Sequence, residues 1–201
     1  MTDYMTQDAR SVAICAYENA IRLGHHYLGG EHFLLALAAA DQPAGAALRG
    51  RGVTPERVEE EIVRLAGSGL FGDLDRDALA AVGIDVDAVR DRIESSFGQA
   101  ALQQAARAAH REPGISSWSP RRRSGAVRDG VFLPHAPDVE KGRRNACREA
   151  QARHGTQIGV EHVALGLVAV GEGLVPPILS AIGVSAPVLR TAILDRYRQA
   201  S

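Results

Sequence analysis

Two glutamate–histidine pairs are the residues best placed to do chemistry. Glu31-His32 follows Gly29-Gly30, and Glu161-His162 follows Gly159-Val160, and each pair opens an apolar run. A carboxylate in the first turn of a helix is kept ionised by the helix dipole. Beside exposed amides, it can grip a guanidinium through two parallel hydrogen bonds while the amides accept an anion. The bland reading is that both glutamates only satisfy backbone amides at a helix start. His25 and His26 lie close to the first pair, which raises a metal centre or a metal-dependent hydrolase built on His25, His26, Glu31 and His32. The spacing argues against it. Neighbouring helical residues diverge by about 100°, whereas zinc pairs use positions i and i+4. The second copy has Gly155 where the first has His25. The histidines therefore read as structural, and no metal or cofactor is expected. No serine or cysteine has a base nearby in sequence, so no catalytic residue is assigned.

Other chemistry-bearing patterns are weaker. The chain contains no Gly-x-x-x-x-Gly-Lys-[Ser/Thr] loop, so no nucleotide site is expected; Lys141 is the single lysine among 23 basic residues. That arginine bias reads as GC-rich, bacterial codon usage. Cys15 and Cys147 fall among helical apolar positions and read as reduced core thiols. Arg121-Arg122-Arg123, flanked by Arg107, Arg111, Arg128 and Trp118, is the one basic cluster, and a nucleic-acid-associated regulator using it is the alternative function. A solvated linker is the simpler reading, and nucleic acid is not an expected partner.

The elements that must position these residues are helices. Ala9, Val12, Ala13, Ala16, Ala20 and Leu23 trace one helical face, and strand-like alternation appears nowhere. The fold class is all-α. With 201 residues, 45% hydrophobic and 23% charged, the chain can bury a core, which excludes a disordered tail or a collagen-like repeat. A net charge of -1 provides no global field for nucleic acid. The apolar runs 33–40 and 163–170 fall short of the roughly 20 residues a bilayer needs, and the first residues are not a secretory signal, so a cytoplasmic location is expected and no membrane partner.

The strongest feature is internal duplication. Leu28-Gly29-Gly30-Glu31-His32-Phe33-Leu34-Leu35-Ala36-Leu37 returns at 158–167 as Ile-Gly-Val-Glu-His-Val-Ala-Leu-Gly-Leu. An Ala-rich helix precedes each copy, and a helix-turn-helix follows: Leu48, Gly52, Val53, Val58, Ile62 in the first, Leu179, Gly183, Val184, Leu189, Ile193 in the second. The glycine supplies a left-handed residue, the next apolar residue packs back, and Thr54 or Ser185 caps the following helix. Leu79, Gly83, Ile84, Val89 and Ile93, with Asp85 as cap, form an unpartnered third half-unit. The organisation is a first repeat over 1–67, an inserted helical half-unit and extension over 73–111, a flexible Arg/Ser/Pro/Gly linker over 112–131, and a second repeat over 132–201.

Leu23-Gly24-His25-His26-Tyr27-Leu28-Gly29-Gly30-Glu31-His32 with Leu34-Leu35, its weaker second copy, and the opening Thr6-Gln7-Asp8-Ala9-Arg10 resemble the amino-terminal domain of the Clp (Hsp100) ATPases. The resemblance implies two pseudo-symmetric four-helix repeats, and with no phosphate-binding loop in the sequence the chain looks similar to the stand-alone, actinobacterial-type members that lack the ATPase modules. It also implies a non-enzymatic module that binds proteins or peptides as adaptor, decoy or regulator of Clp-dependent proteolysis. Its implied partners are Clp ATPase and protease components, their substrates and adaptors, phosphoarginine-marked proteins, or cyclic-peptide antibiotics. In some members two corresponding glutamates hold the guanidinium of phosphoarginine, which carries that role to Glu31 and Glu161, with the Thr6 hydroxyl near phosphate. The sequence departs from that pattern at Gly30 and Val160, where the family has threonine, at Ala136, which matches Thr6, and at Asp8 and Asp138, where a basic residue is common.

Overall fold

The computed structural model describes residues 4–66, 125–128, 131–153 and 155–200, together with Asp85, Ala88 and Arg92. The first repeat contains α1 (Gln7–Arg22), α2 (Gly30–Ala39), α3 (Pro43–Arg49) and α4 (Pro55–Ala66). A hairpin of β1 (Gly125–Arg128) and β2 (Val131–Pro134) leads into α5 (Pro137–Ala152), α6 (Val160–Val168), α7 (Val175–Ile182) and α8 (Ala186–Ala200).

Local chemistry accounts for the helix boundaries. Thr6 caps α1 by accepting the Ala9 amide at 3.2 Å, and Ala9, Val12, Ala16, Ala20 and Leu23 are buried as the periodicity requires. Gly52 and Gly183 both adopt φ +82°, a conformation that side chains resist. Past each glycine the chain turns back identically, with Val53 N donating to Leu48 O and Val184 N to Leu179 O. Thr54 accepts the Arg57 amide at 3.4 Å, and in the inserted unit Asp85 accepts the Ala88 amide at 3.1 Å. The rest of that unit, and Arg121 to Arg123, lie outside the described residues.

One core spans both repeats. Leu34, Leu37, Leu48 and Ile62 from the first share it with Leu165, Ile178, Leu189 and Ile193 from the second. Against α5, α6 crosses closely because Gly166 faces backbone: a Cβ there would stand 2.5 Å from Ala146 N and 2.6 Å from Gly142 O. The two halves are also tied by exchanged bridges, Met5 to Ile158 and Leu28 to His135. Thr6 N donates to Ile158 O at 3.0 Å, and its counterpart Ala136 N donates to Leu28 O at 2.9 Å, so the clasp obeys the pseudo-two-fold of the sequence repeat.

The expectation that strands are absent needs correction. β1 pairs antiparallel with β2, Ala126 opposite Leu133 and Arg128 opposite Val131, and Leu133 is fully buried. The linker assigned through residue 131 thus ends in a hairpin. Four-residue strands are too short to display alternation, but the Asp129-Gly130 dipeptide between them is a composition that favours two-residue hairpin turns. Helices nonetheless form both repeats, and the fold is all-α in class.

Candidate functional site at the seam of the repeats

The glutamate–histidine pairs turn out to do different work at their two positions. In α2, His32 reaches back so that its Nδ1 accepts the Gly29 amide at 3.0 Å, satisfying an orphan donor of the helix start. With Nδ1 an acceptor, the ring proton sits on Nε2, which faces His25 Nδ1 at 2.7 Å. Burial, then the neighbouring His25, push the His32 pKa down to about 3. The second copy repeats the cap, Gly159 N to His162 Nδ1 at 3.0 Å, but Gly155 replaces His25 and His162 Nε2 has no partner.

Glu31 curls over Gly29 and is 1% exposed, its Oε1 buried without a hydrogen bond and 3.4 Å from His32 Nδ1. Burial pushes its pKa up to about 7, Asp138 adding to the rise, while its own amide and the Tyr27 hydroxyl oppose it. This corrects the expectation that the helix dipole keeps Glu31 ionised: a dipole effect of about 1 kcal/mol is smaller than the desolvation penalty of a buried carboxylate. Tyr27 is likewise raised, by burial and then by Glu31.

His25, Glu31 and His32 bring ligand-type atoms within 4.8 Å of one another, so adjacent helical residues do converge here, because Glu31 folds back along the backbone. Both nitrogens of His32 are nevertheless engaged, one by the Gly29 amide and one by His25. A metal would have to displace these bonds, and the two histidines read as a buried hydrogen-bonded pair beside Glu31.

The decisive residue at this seam is Asp138, 108 positions away on α5. It is 4% exposed, its Oδ2 accepts the Gly30 amide at 3.0 Å and its Oδ1 the Val139 amide at 2.8 Å. Glycines make room for it. A Cβ on Gly30 would stand 2.8 Å from Asp138 Oδ2, and Gly173, at φ +78°, packs on the same carboxylate. Tyr27, Glu31, Ala136, Pro137, Asp138 and Glu172 line a cleft of about 340 Å³, and Glu172 is paired with Lys141.

At the other seam Val160 carries a side chain where the first has Gly30, and Asp8 is exposed rather than seated on the helix start. Glu161 keeps a side chain 22% exposed, 3.1 Å from His162 Nδ1. Thr6 belongs to this seam through its amide on Ile158, while its hydroxyl is occupied in capping α1. Glu31, Glu161 and Thr6 therefore do not converge on one site. Cys15 and Cys147 are half-buried and unpaired, and burial raises the Cys15 thiol pKa. Asp138 was legible only as an anomaly of charge; its partner, an amide in the other repeat, leaves no sequence signal.

Comparison with known proteins agrees with this architecture. Residues 139–200 match the Clp repeat (R) N-terminal domain family. The N-terminal domain of the chaperone ClpD from Arabidopsis thaliana superposes with a TM-score of 0.60 at 18% identity, covering 98% of this chain and 97% of that one. The second repeat thus matches the Clp repeat model, and the whole chain shares the fold of Clp amino-terminal domains. The Hsp104 N-terminal domain from Candida albicans shares the fold, with a TM-score of 0.52, 12% identity and 96% and 90% coverage. A ClpA homolog of Cyanidium caldarium, an ATP-binding subunit of the ATP-dependent Clp protease, is 27% identical over all of this chain. ClpC/MecB of Bacillus subtilis, a negative regulator of genetic competence, is 24% identical over 94% of it. The chain spans only 17% and 16% of those two proteins.

Proposed function

We propose that this Clp N-type protein is a non-enzymatic recruitment module, acting as adaptor, decoy or regulator of Clp-dependent proteolysis, and that its seam cleft takes the guanidinium of an arginine side chain on a client polypeptide. The observation that carries this reading is the convergence of Glu31, Asp138 and Glu172 around a cleft walled by Tyr27. A guanidinium suits a planar carboxylate pair and an aromatic wall together. Because the Glu31 pKa is raised to about 7, an arriving cation favours its ionised form, so binding releases a proton near neutral pH.

Phosphoarginine would add an anion that needs free amides. At the first seam the Gly30 amide is held by Asp138, whose charge repels phosphate, which favours the unmodified arginine there. At the second seam Glu161 is partly exposed and Asp8 is withdrawn, so phosphoarginine is assigned to Glu161, with Thr6 nearby.

Calorimetry with an arginine peptide, a phosphoarginine peptide and a cyclic-peptide antibiotic, the other ligand that the resemblance implies, tests the reading. The arginine peptide should lose affinity on Glu31→Gln and the phosphoarginine peptide on Glu161→Gln. Proton release should appear as a buffer-dependent heat for the first ligand. If neither arginine ligand binds the unaltered protein, the seam reading fails and the fold assignment stands.

A further inference from the structure

The two repeats treat the end of their central helix differently. At the end of α2, the Arg49 guanidinium reaches back from α3 and donates to Ala38 O and Ala40 O, both at 2.7 Å. These are last-turn carbonyls with no partner of their own in a helix, at the negative end of its dipole. The matching turn of the second repeat is fixed by the shared Leu48–Val53 and Leu179–Val184 hydrogen bonds, which place Ser180 opposite Arg49. Ser180 is exposed and too short to reach back. No described residue donates to Val168 O or Val170 O, the carbonyls that correspond to those of Ala38 and Ala40.

In place of the arginine the second repeat has a groove of about 700 Å³, lined by Val168, Val170, Pro176, Leu179, Val184 and Pro187 among others. The connection from α6 to α7 is longer than that from α2 to α3 and contains Gly171 and Gly173. Arg190 also lines the groove, but its guanidinium is bound to Glu149 Oε1 at 2.6 Å. Elsewhere the fold again places arginine on helix-end carbonyls, Arg57 on Ile182 O at 3.3 Å and Arg153 on Glu149 O at 3.0 Å.

The geometry points to this groove as a second docking surface, for an apolar peptide segment whose arginine takes the place that Arg49 fills in the first repeat. The apolar walls take the flanking side chains, and the end of α6, where Val168, Ala169 and Val170 line the groove, takes the guanidinium. The surface is built wholly from the second repeat, so it stands or falls independently of the Glu31 seam.

The test uses a fluorescent peptide of leucines and valines around one central arginine, and the same peptide with norleucine at the centre. The arginine peptide should shift the amide resonances of Ala169, Val170 and Ser180. The norleucine peptide should bind about tenfold more weakly, the scale of a charge-assisted hydrogen-bonded contact. Ser180→Arg supplies the missing guanidinium from within and should abolish binding while leaving arginine binding at Glu31 unchanged. Equal affinity for the two peptides, or undiminished binding to a folded Ser180→Arg variant, overturns the proposal. Absence of binding by the arginine peptide to the unaltered protein does so as well.

Discussion

Glu31 binds its proton more tightly in the folded chain than in the unfolded one, since its pKa is about 7 against an ordinary 4.5. The stability this contributes is fully present below about pH 4.5 and is lost as pH rises through about 7, a swing of about 3 kcal/mol at most. His32 acts in the opposite sense. Its pKa of about 3 lies below the ordinary 6.5, so its contribution is present above 6.5 and lost as the medium acidifies. Glu31→Gln removes only the first effect. Urea melts across pH 5 to 8 should show the variant gaining on the parent as pH rises; a constant difference between the two would mean that Glu31 is not protonated near neutrality. Arg49 offers a second check at this scale. Arg49→Ala strips two carbonyls of a charged donor and should cost about 1–3 kcal/mol of unfolding free energy by denaturant titration. Sequence marked Glu31 and His32 by their position after paired glycines, but it misjudged the ionisation of Glu31. Spacing shows which residues start a helix and not how deeply the other repeat covers them.

At the scale of elements, the start of α2 is finished by α5. Asp138→Ala leaves the Gly30 and Val139 amides without their acceptor in a buried place and should cost about 1–3 kcal/mol, whereas Asp138→Asn keeps an acceptor oxygen and should cost less. Thermal melts of the two variants compare them directly, and equal losses would show that charge rather than capping matters. The α5–α6 crossing is equally specific. Gly166→Ala drives a methyl into the backbone at Ala146 and Gly142, which cannot yield as a side chain would, and should destabilise by about 1–3 kcal/mol. Caps and turns such as Thr54, Asp85, Gly52 and Gly183 were readable because each acts within a few residues. The Asp138–Gly30 bond joins residues 108 apart, and the β1–β2 hairpin is too short to show a period, so neither could be seen in local pattern.

For the whole molecule, the question is whether the duplication yields two bundles side by side or one cooperative body. The shared core and the exchanged bridges argue for one body. Met5 reaches to Ile158 and His135 to Leu28, each joining the lead-in of one repeat to the loop before the central helix of the other. The repeat spacing announced that two copies exist but not that they would exchange segments, because pairing across a pseudo-two-fold depends on docking. Thr6→Pro tests the coupling with little backbone strain, since Thr6 already has φ -61°. It deletes the amide bonded to Ile158 O and the hydroxyl that caps Ala9. If the clasp opens as a unit, native-state hydrogen exchange should quicken at Leu28 and Ala136, in the untouched bridge, as much as at Ile158, with Leu165 in the core as the slower reference. The expected fall in opening free energy is about 1 kcal/mol, the scale of one hydrogen bond. Faster exchange at Ile158 alone would mean that the bridges open separately, and the two repeats would then be neighbours rather than halves of a single grip.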